Sequence, residues 1–194
     1  MYTLLLDSSN ASLSVGFMKD KSLLCYTSYE SWQTQSENMI PEIDKLIKKH
    51  QISRNEIDGI VVAIGPGSYT GVRIAITIAK TMSYALNIPV YPVSSLRVLK
   101  DNDKPSICVI NARSNRSYFG VFDKDKIIVN DVIMSNDDVL KYIGSHSDYS
   151  ICGDARYLGF ENKDTNVCLQ MVSLFNSLPR IDDASGLKPI YMKD

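Results

Sequence analysis

Residues 60–86 constrain the fold of this chain more than any other stretch. They open with the apolar run IVVAI at residues 60–64, whose length and β-branched content predict a strand buried on both faces. The two glycines and the proline at residues 65–67 prevent the strand from continuing, and from Thr70 the pattern becomes helical. The chain is therefore expected to pass from a buried strand through a tight turn into the start of a long helix.

Two interpretations fit the turn GPGSYTG at residues 65–71. In the first, its backbone N–H groups and the helix dipole hold a phosphate or a carboxylate. In the second, the residues that define the motif only shape the turn: Gly65, Gly67, Gly71 and the following Arg73. Because the sequence matches neither the P-loop nor the dinucleotide-binding fingerprint, its spacing favours the structural interpretation.

The helix predicted over residues 70–86 is apolar or small around most of its circumference. At about 100° per residue its polar side chains form one stripe, opposite Ala75, Ala79, Met82 and Leu86. Two flanks remain, one with Val72, Ile76 and Ser83 and the other with Ile74, Ile78 and Ala85. Since one sheet cannot cover both flanks, the helix is either central in its domain or buried a second time against a partner.

Composition and charge indicate a soluble globular chain. Its 194 residues are enough for one large domain or two small lobes, and a net charge of −1 argues against strong non-specific attraction to nucleic acid. The N-terminal residues 1–7 are interpreted as a strand, and no apolar run is long enough to span a bilayer. A cytoplasmic location without a membrane partner is therefore expected.

Cysteine and histidine spacing gives no support for a metal site. His50 and His146 have no partner histidine at helical spacing. The cysteines lack the paired spacing of a zinc site, and buried free thiols are expected at Cys25, Cys108, Cys152 and Cys168.

The order of predicted elements repeats. Three strands (2–7, 12–17, 22–27) precede a helix (35–49, its regular part from about Asn38), a strand (58–64), the helix at 70–86, a strand (90–93) and a short helix from Ser94. The second half repeats apolar strand, polar turn, glycine-containing strand, Lys-Asp turn and third strand (127–134), followed by a helix (136–143) and a strand (149–152). This similarity predicts an internal duplication, with one lobe at 1–103 and a shorter lobe at 104–194 that ends in a tail without sustained periodicity.

Two copies of three strands, helix, strand and helix are the plan of the actin-like and Hsp70-like ATPase domains. The predicted fold is therefore α/β and RNase H-like, with two duplicated lobes of mixed sheet flanked by helices and a reduced second lobe. Within this class the chain resembles the TsaB (YeaZ) family. The resemblance covers most of the chain, with the specific motif at 65–73 supported by ordered matches at 6–9, 36–41, 93–96, 110–113, 153–154 and 189–192.

The resemblance implies the dimerisation subunit of the bacterial machinery that installs threonylcarbamoyl on N6 of adenosine 37 in tRNA. The expected partners are a catalytic TsaD-type protein, a small TsaE-type ATPase and, when the chain is alone, a second copy. tRNA would be reached only indirectly, and ATP and Mg²⁺ would be used by the partner subunits. The residues expected at the partner interface come from both helices of the first lobe: Val72, Ile76, Ala79, Ser83, Met39 and Ile43.

Departures from an active ATPase predict a non-catalytic subunit that binds no cofactor of its own. The first phosphate-type turn, residues 7–12, has no glycine, and the second carries neutral Asn111 where an aspartate is usual. Gln35 also stands where the family commonly has histidine. An amide cannot act as a base and binds Mg²⁺ less strongly than a carboxylate. Asp7 and Ser8 remain candidates for an anion site, although a turn-capping role is favoured.

Two other classes of function remain open. An active ATP-using transferase or a peptidase of the same fold would need intact phosphate turns or a nucleophile, and Ser68 has no identifiable His and carboxylate partners. A tRNA-binding module would use the basic residues of the first helix and of the second hairpin turn: Lys45, Lys48, Lys49, Arg113 and Arg116.

Overall fold

A five-stranded mixed sheet forms the first lobe. The computed structural model describes residues 1–31, 33–163 and 165–192. The strands are β1 (Tyr2–Asp7), β2 (Ser12–Lys19), β3 (Ser22–Glu30), β4 (Ile57–Ala63) and β5 (Val90–Val93), in the order β3-β2-β1-β4-β5. β1 pairs antiparallel with β2 and parallel with β4, which in turn pairs parallel with β5. β1 and β4 are consequently central and almost wholly buried, as their apolar sequences predict.

Two helices cover one face of this sheet. α1 (Gln35–His50) begins three residues before the predicted start of its regular part, with Pro41 in its second turn. α2 (Tyr69–Leu86) follows the glycine turn, and the Ser68 hydroxyl accepts a hydrogen bond from Gly71 N–H. Their buried side chains share one apolar core with β1, β2 and β4. The strand-turn-helix prediction for this region is confirmed.

The second sheet repeats the first without its last strand. It contains β6 (Ser106–Arg113), β7 (Arg116–Asp123), β8 (Lys126–Ser135) and β9 (Ser150–Gly153), in the order β8-β7-β6-β9. The strand directions match those of β3-β2-β1-β4 in the first lobe. α3 (Asn136–Ser145) begins at the predicted cap, where the Ser135 hydroxyl accepts from Asp138 N–H. The two sheets therefore carry the same topology, and the second is the reduced copy.

A helix that the sequence did not predict, α4 (Val167–Leu174), lies between the two sheets. Its apolar side chains join one core that includes Leu5 and Val61 of the first sheet and Cys108 and Phe122 of the second. The predicted division assigned all of residues 104–194 to the second lobe, whereas α4 contacts β1, β2 and β3 of the first. Because α4 is short and apolar nearly all round, its sequence carries no amphipathic period, and burial between two sheets suits it.

The segment after α4 returns to the first lobe. We call residues 181–191 the C-terminal strap. Ile181 exchanges backbone hydrogen bonds with Val90 of β5, and Ile190 N–H donates to Ile64 O at 2.7 Å. Within the described part of the chain, no helix has the length and apolar character needed to cross a membrane.

Candidate functional site

The glycine turn packs directly against the loop between β1 and β2. Ser68 N–H donates to Ser9 O at 2.6 Å, and the Ser8 hydroxyl donates to Gly71 O at 2.8 Å. A Cβ atom on Gly67 would lie 2.1 Å from Ser9 O, and one on Gly71 would lie 1.9 Å from Ser8 O. Real Cβ atoms do not approach backbone oxygens so closely. The packing of the turn against this loop is therefore enough to require glycine at both positions, and no ligand is needed to explain them.

Asp7 and Ser8, the candidates for an anion site, are engaged in contacts inside the chain. Asp7 is 1% exposed, and its Oδ1 accepts from Ser9 N–H at 2.9 Å, as in a turn-capping aspartate. Burial raises the pKa of the Asp7 carboxyl above its ordinary value, and the contacts with Ser9 only partly offset this rise. The Ser9 hydroxyl is also buried and has no hydrogen-bond partner among the described residues.

We expect Asp7→Asn to stabilise the folded chain at neutral pH by about 1–3 kcal/mol, because it removes a buried carboxylate whose hydrogen bonding is incomplete. The folded-state pKa of Asp7 is raised, so the wild-type chain loses stability as the pH increases through that pKa. The advantage of the variant should consequently shrink as the pH falls toward 4. Urea unfolding at pH 7 and near pH 4 measures both effects.

The matched control for Asp7→Asn is Glu30→Gln, an exposed acid at the end of β3, which should leave the unfolding curve unchanged. Destabilisation of the Asp7→Asn chain at pH 7 would contradict the expectation and would indicate that the carboxylate has a stabilising role.

The corresponding turn of the second lobe is also capped by its own polar residue. Asn111 Oδ1 accepts from Arg113 N–H at 2.8 Å, and Arg113, Ser114 and Asn115 all have positive φ angles. The Asn111 amide therefore supports a left-handed turn that few residue types adopt easily. Asp154 follows β9 at the same end of the sheet, and partial burial raises the pKa of its carboxyl.

Apolar side chains fill the space between the two lobes. A Cβ atom on Gly16 of β2 would lie 3.0 Å from Cys168 Sγ of α4, so this helix rests directly on the first sheet. Burial raises the pKa of the Cys168 thiol, and the nearby Asp7 carboxylate raises it further.

The cysteines are free thiols, and the described residues contain no group of three or more His, Cys, Asp or Glu arranged to hold a metal ion.

An open groove of about 380 Å³ runs between α1 and α2 on the outside of the first lobe. Ile40 and Tyr69 are the most exposed of its large hydrophobic side chains, at 59% and 60%. We call this surface the α1/α2 groove, and it is lined by Ser36, Ile40, Tyr69, Thr70, Arg73, Ile74, Thr77 and Ile78. Exposed isoleucine and tyrosine side chains grouped in one groove are typical of a protein-binding surface.

The helix face predicted to meet a partner is buried within the chain itself. All six residues expected there are buried in the chain's own core: Val72, Ile76, Ala79, Ser83, Met39 and Ile43. The Ser83 hydroxyl, for example, donates to Ile88 O at 2.6 Å inside the lobe. On the other flank, Ile74 and Ile78 are half-buried: they line the α1/α2 groove and also pack against the core. The sheet covers the first flank because α1 and α2 lie side by side on one face of it.

Arg73, expected to shape the glycine turn, instead lies at the surface of the α1/α2 groove. Its Nη1 donates to the Tyr69 hydroxyl at 2.5 Å, and its Cζ lies 4.7 Å from the centre of the Tyr69 ring. Sequence reasoning missed Tyr69 and Ile40 as surface residues. The available signal was an aromatic side chain in the first turn of a helix, where the sheet cannot cover it.

Two duplicated mixed sheets flanked by helices define the actin-like ATPase class, with its RNase H-like lobes. Solved structures share this fold. "YeaZ from Pseudomonas aeruginosa" matches at a TM-score of 0.81 and 20% identity over 98% of this chain and 99% of that one. A second structure, described as an uncharacterized protein with similarity to peptidase YEAZ from the same organism, gives a TM-score of 0.83 and 19% identity, and covers 99% of each chain.

The comparisons of sequence identify the family. The model of the family "TsaD: tRNA N6-adenosine threonylcarbamoyltransferase" matches residues 30–166. The tRNA threonylcarbamoyladenosine biosynthesis protein TsaB of Bacillus subtilis is 32% identical over 138 residues, which are 69% of this chain and 60% of that protein's length. The TsaB protein of Haemophilus influenzae is 22% identical over 84% of this chain and 81% of its own length. The chain belongs to the TsaB/YeaZ family.

Proposed function

We propose that this chain takes part in the biosynthesis of threonylcarbamoyladenosine in tRNA as a non-catalytic subunit. In this proposal it docks a TsaD-type catalytic protein through the α1/α2 groove and holds that protein in an active arrangement. The observation that carries the proposal is the groove itself, an exposed apolar surface between the two helices of the first lobe.

The turn between β1 and β2 supports the non-catalytic part of the proposal. In actin-like ATPases such a turn holds a phosphate, but here the glycine turn packs against it through Ser8 and Ser9. Asp7 accepts a hydrogen bond from its own loop, and α4 fills the space between the lobes with apolar side chains. The hydrogen-bond partners of Asp7 and Ser8 are therefore groups of the chain itself. The Ser68 hydroxyl caps α2, which argues against its use as a nucleophile.

The family model supports the choice of partner. Because the TsaD model matches residues 30–166, which contain both α1 and α2, a TsaD-type protein is expected to present an equivalent pair of helices. Two similar helix pairs can pack around a pseudo-twofold axis, so that apolar residues of each fill the groove of the other. Two copies of this chain can pack through the same surface around a true twofold axis. A homodimer is therefore the expected state when the partner is absent.

The remaining partners follow from the proposed complex. A TsaE-type ATPase would dock on the assembled pair, and ATP, Mg²⁺ and the threonylcarbamoyl transfer would belong to the partner subunits. tRNA would be bound mainly by the complex. Arg113 and the lysines of α1 remain candidates for a minor contact with its backbone.

Light scattering coupled to size-exclusion chromatography tests the proposal, with the chain alone and then mixed with the TsaD-type protein of the same organism. We expect a dimer alone that exchanges into a one-to-one complex on mixing. A chain that stays monomeric and does not bind the partner would overturn the proposal.

The alternative, an active ATP-using transferase or peptidase, gains some support from the buried Asp7 carboxylate beside the Ser9 hydroxyl, which has no hydrogen-bond partner in the described part of the chain. Incomplete satisfaction of buried polar groups is common at functional sites. ATP hydrolysis by the isolated chain that disappears in Asp7→Ala would favour this alternative over the docking role.

A further inference from the structure

The C-terminal strap crosses α2 and the glycine turn beside the α1/α2 groove. Lys80 of α2 donates from Nζ to Ser185 O at 2.6 Å, and Leu187 packs against the core beneath. Ala184 is buried in the same core. These contacts fix the middle of the strap to α2.

The glycine turn fixes the end of the strap. Ile190 N–H donates to Ile64 O at 2.7 Å, where β4 leads into the turn. Gly65 has a φ of +103°, and a Cβ atom there would lie 2.8 Å from Ile190 O. Only glycine permits both this backbone conformation and this approach. Two segments singled out in the sequence, the glycine motif and residues 189–192, therefore meet in space.

The strap ends on a groove residue. The Tyr191 ring stacks on the Tyr69 ring, with centroids 5.1 Å apart and planes 23° from parallel. Tyr69 in turn contacts Arg73, the only charged residue that lines the groove in the described part of the chain. Tyr69 is more than half exposed and lies in the first turn of α2, so few other contacts restrict its ring.

We propose that Tyr191 is a positioning residue for docking: through its stack on Tyr69 it holds Tyr69 and Arg73 in the orientation that the partner protein meets. This inference rests on the proposed function, because it assigns the strap to the same surface. An aromatic and a cationic side chain held in advance lose less freedom on binding, and aromatic and arginine residues are enriched among those that dominate interfaces. The fitting partner surface is a pair of helices with an apolar stripe and a carboxylate opposite Arg73.

The test is a binding titration of the full chain with the TsaD-type protein, accompanied by thermal unfolding of each variant. We expect Tyr191→Ala to weaken binding by about threefold to tenfold, the range given by one aromatic pair, with little change in Tm. Tyr191→Phe keeps the stack and should bind as the unsubstituted chain does. Tyr26→Ala is the matched control, since Tyr26 has similar exposure to Tyr191, 49% against 45%, and lies at the opposite edge of the first sheet.

A double-mutant cycle with Tyr69→Ala distinguishes positioning from direct contact. If Tyr191 acts through Tyr69, Tyr191→Ala has no further effect once Tyr69 is alanine. If the effects of the two substitutions on binding are additive, or if Tyr191→Ala binds normally, the positioning role is overturned. The proposed docking function is unaffected by either result. Absence of binding by the unsubstituted chain overturns the proposed function itself, and the positioning role with it.

Discussion

Ile40→Lys is expected to weaken binding of the TsaD-type protein by about 30-fold or more and to leave the fold intact. Ile40 lines the α1/α2 groove and is 59% exposed, so a lysine there meets solvent in the free chain but an apolar partner surface in the complex. Loss of a central interface residue costs about 2 kcal/mol or more, which corresponds to that change in Kd. The stability of the free chain should change by less than about 0.5 kcal/mol.

The neighbouring residue on α1 provides the control. Met39 is fully buried in the core of the first lobe, so Met39→Lys should unfold the chain or destabilise it by more than about 4 kcal/mol. Titration by calorimetry and urea unfolding separate the two effects. Normal partner binding by a folded Ile40→Lys chain would move the docking surface away from the groove.

The pair Met39 and Ile40 illustrates the limits of prediction from sequence at this site. The period of α1 places both residues on one apolar face, but adjacent residues differ by about 100° around a helix. Whether the sheet covers one or the other depends on how the helix is rotated against it. The same uncertainty affects α2, whose two apolar flanks are equivalent in sequence, and the structure buries the flank with Val72 and Ile76.

Local patterns predicted most of the fold because each is fixed by nearby residues. The strand-turn-helix unit around the glycine motif, the cap of α3 at Ser135 and the duplicated order of strands all follow from alternation, glycine position and capping chemistry. α4 was missed since an apolar segment of eight residues has no distinctive period. Its position depends on two sheets that are distant in the sequence.

The contacts of the glycine motif were beyond sequence reasoning for the same reason. The motif indicates a turn, but the atoms that approach its glycines come from two separate segments. Gly67 and Gly71 face the loop after β1, whereas Gly65 faces the C-terminal strap. The motif is therefore a junction between the loop after β1, α2 and the strap, and Tyr69 of the proposed docking groove belongs to the same segment.

Gly71→Ala should destabilise the chain by about 3 kcal/mol, a large effect for the addition of one methyl group. Gly71 lies in the first turn of α2, and its Cβ would stand 1.9 Å from Ser8 O, a backbone atom of the adjoining loop. The helix and the loop must separate to admit it, which would also lengthen the hydrogen bond from the Ser8 hydroxyl to Gly71 O. Overpacking of this kind costs about 1–3 kcal/mol, and a rigid backbone neighbour places it at the upper end.

A glycine-to-alanine substitution at Gly144 should have the opposite effect on the stability of the chain. Gly144 lies in α3, and outside its own stretch of helix no atom of the described residues is within 4 Å of the position that its Cβ would take. Because alanine favours the helix over glycine, Gly144→Ala should stabilise the chain by about 0.5–1 kcal/mol. Urea unfolding of the two variants compares them directly. Similar effects of the two substitutions would mean that the loop after β1 yields to a methyl group and that its contact with Gly71 is not rigid.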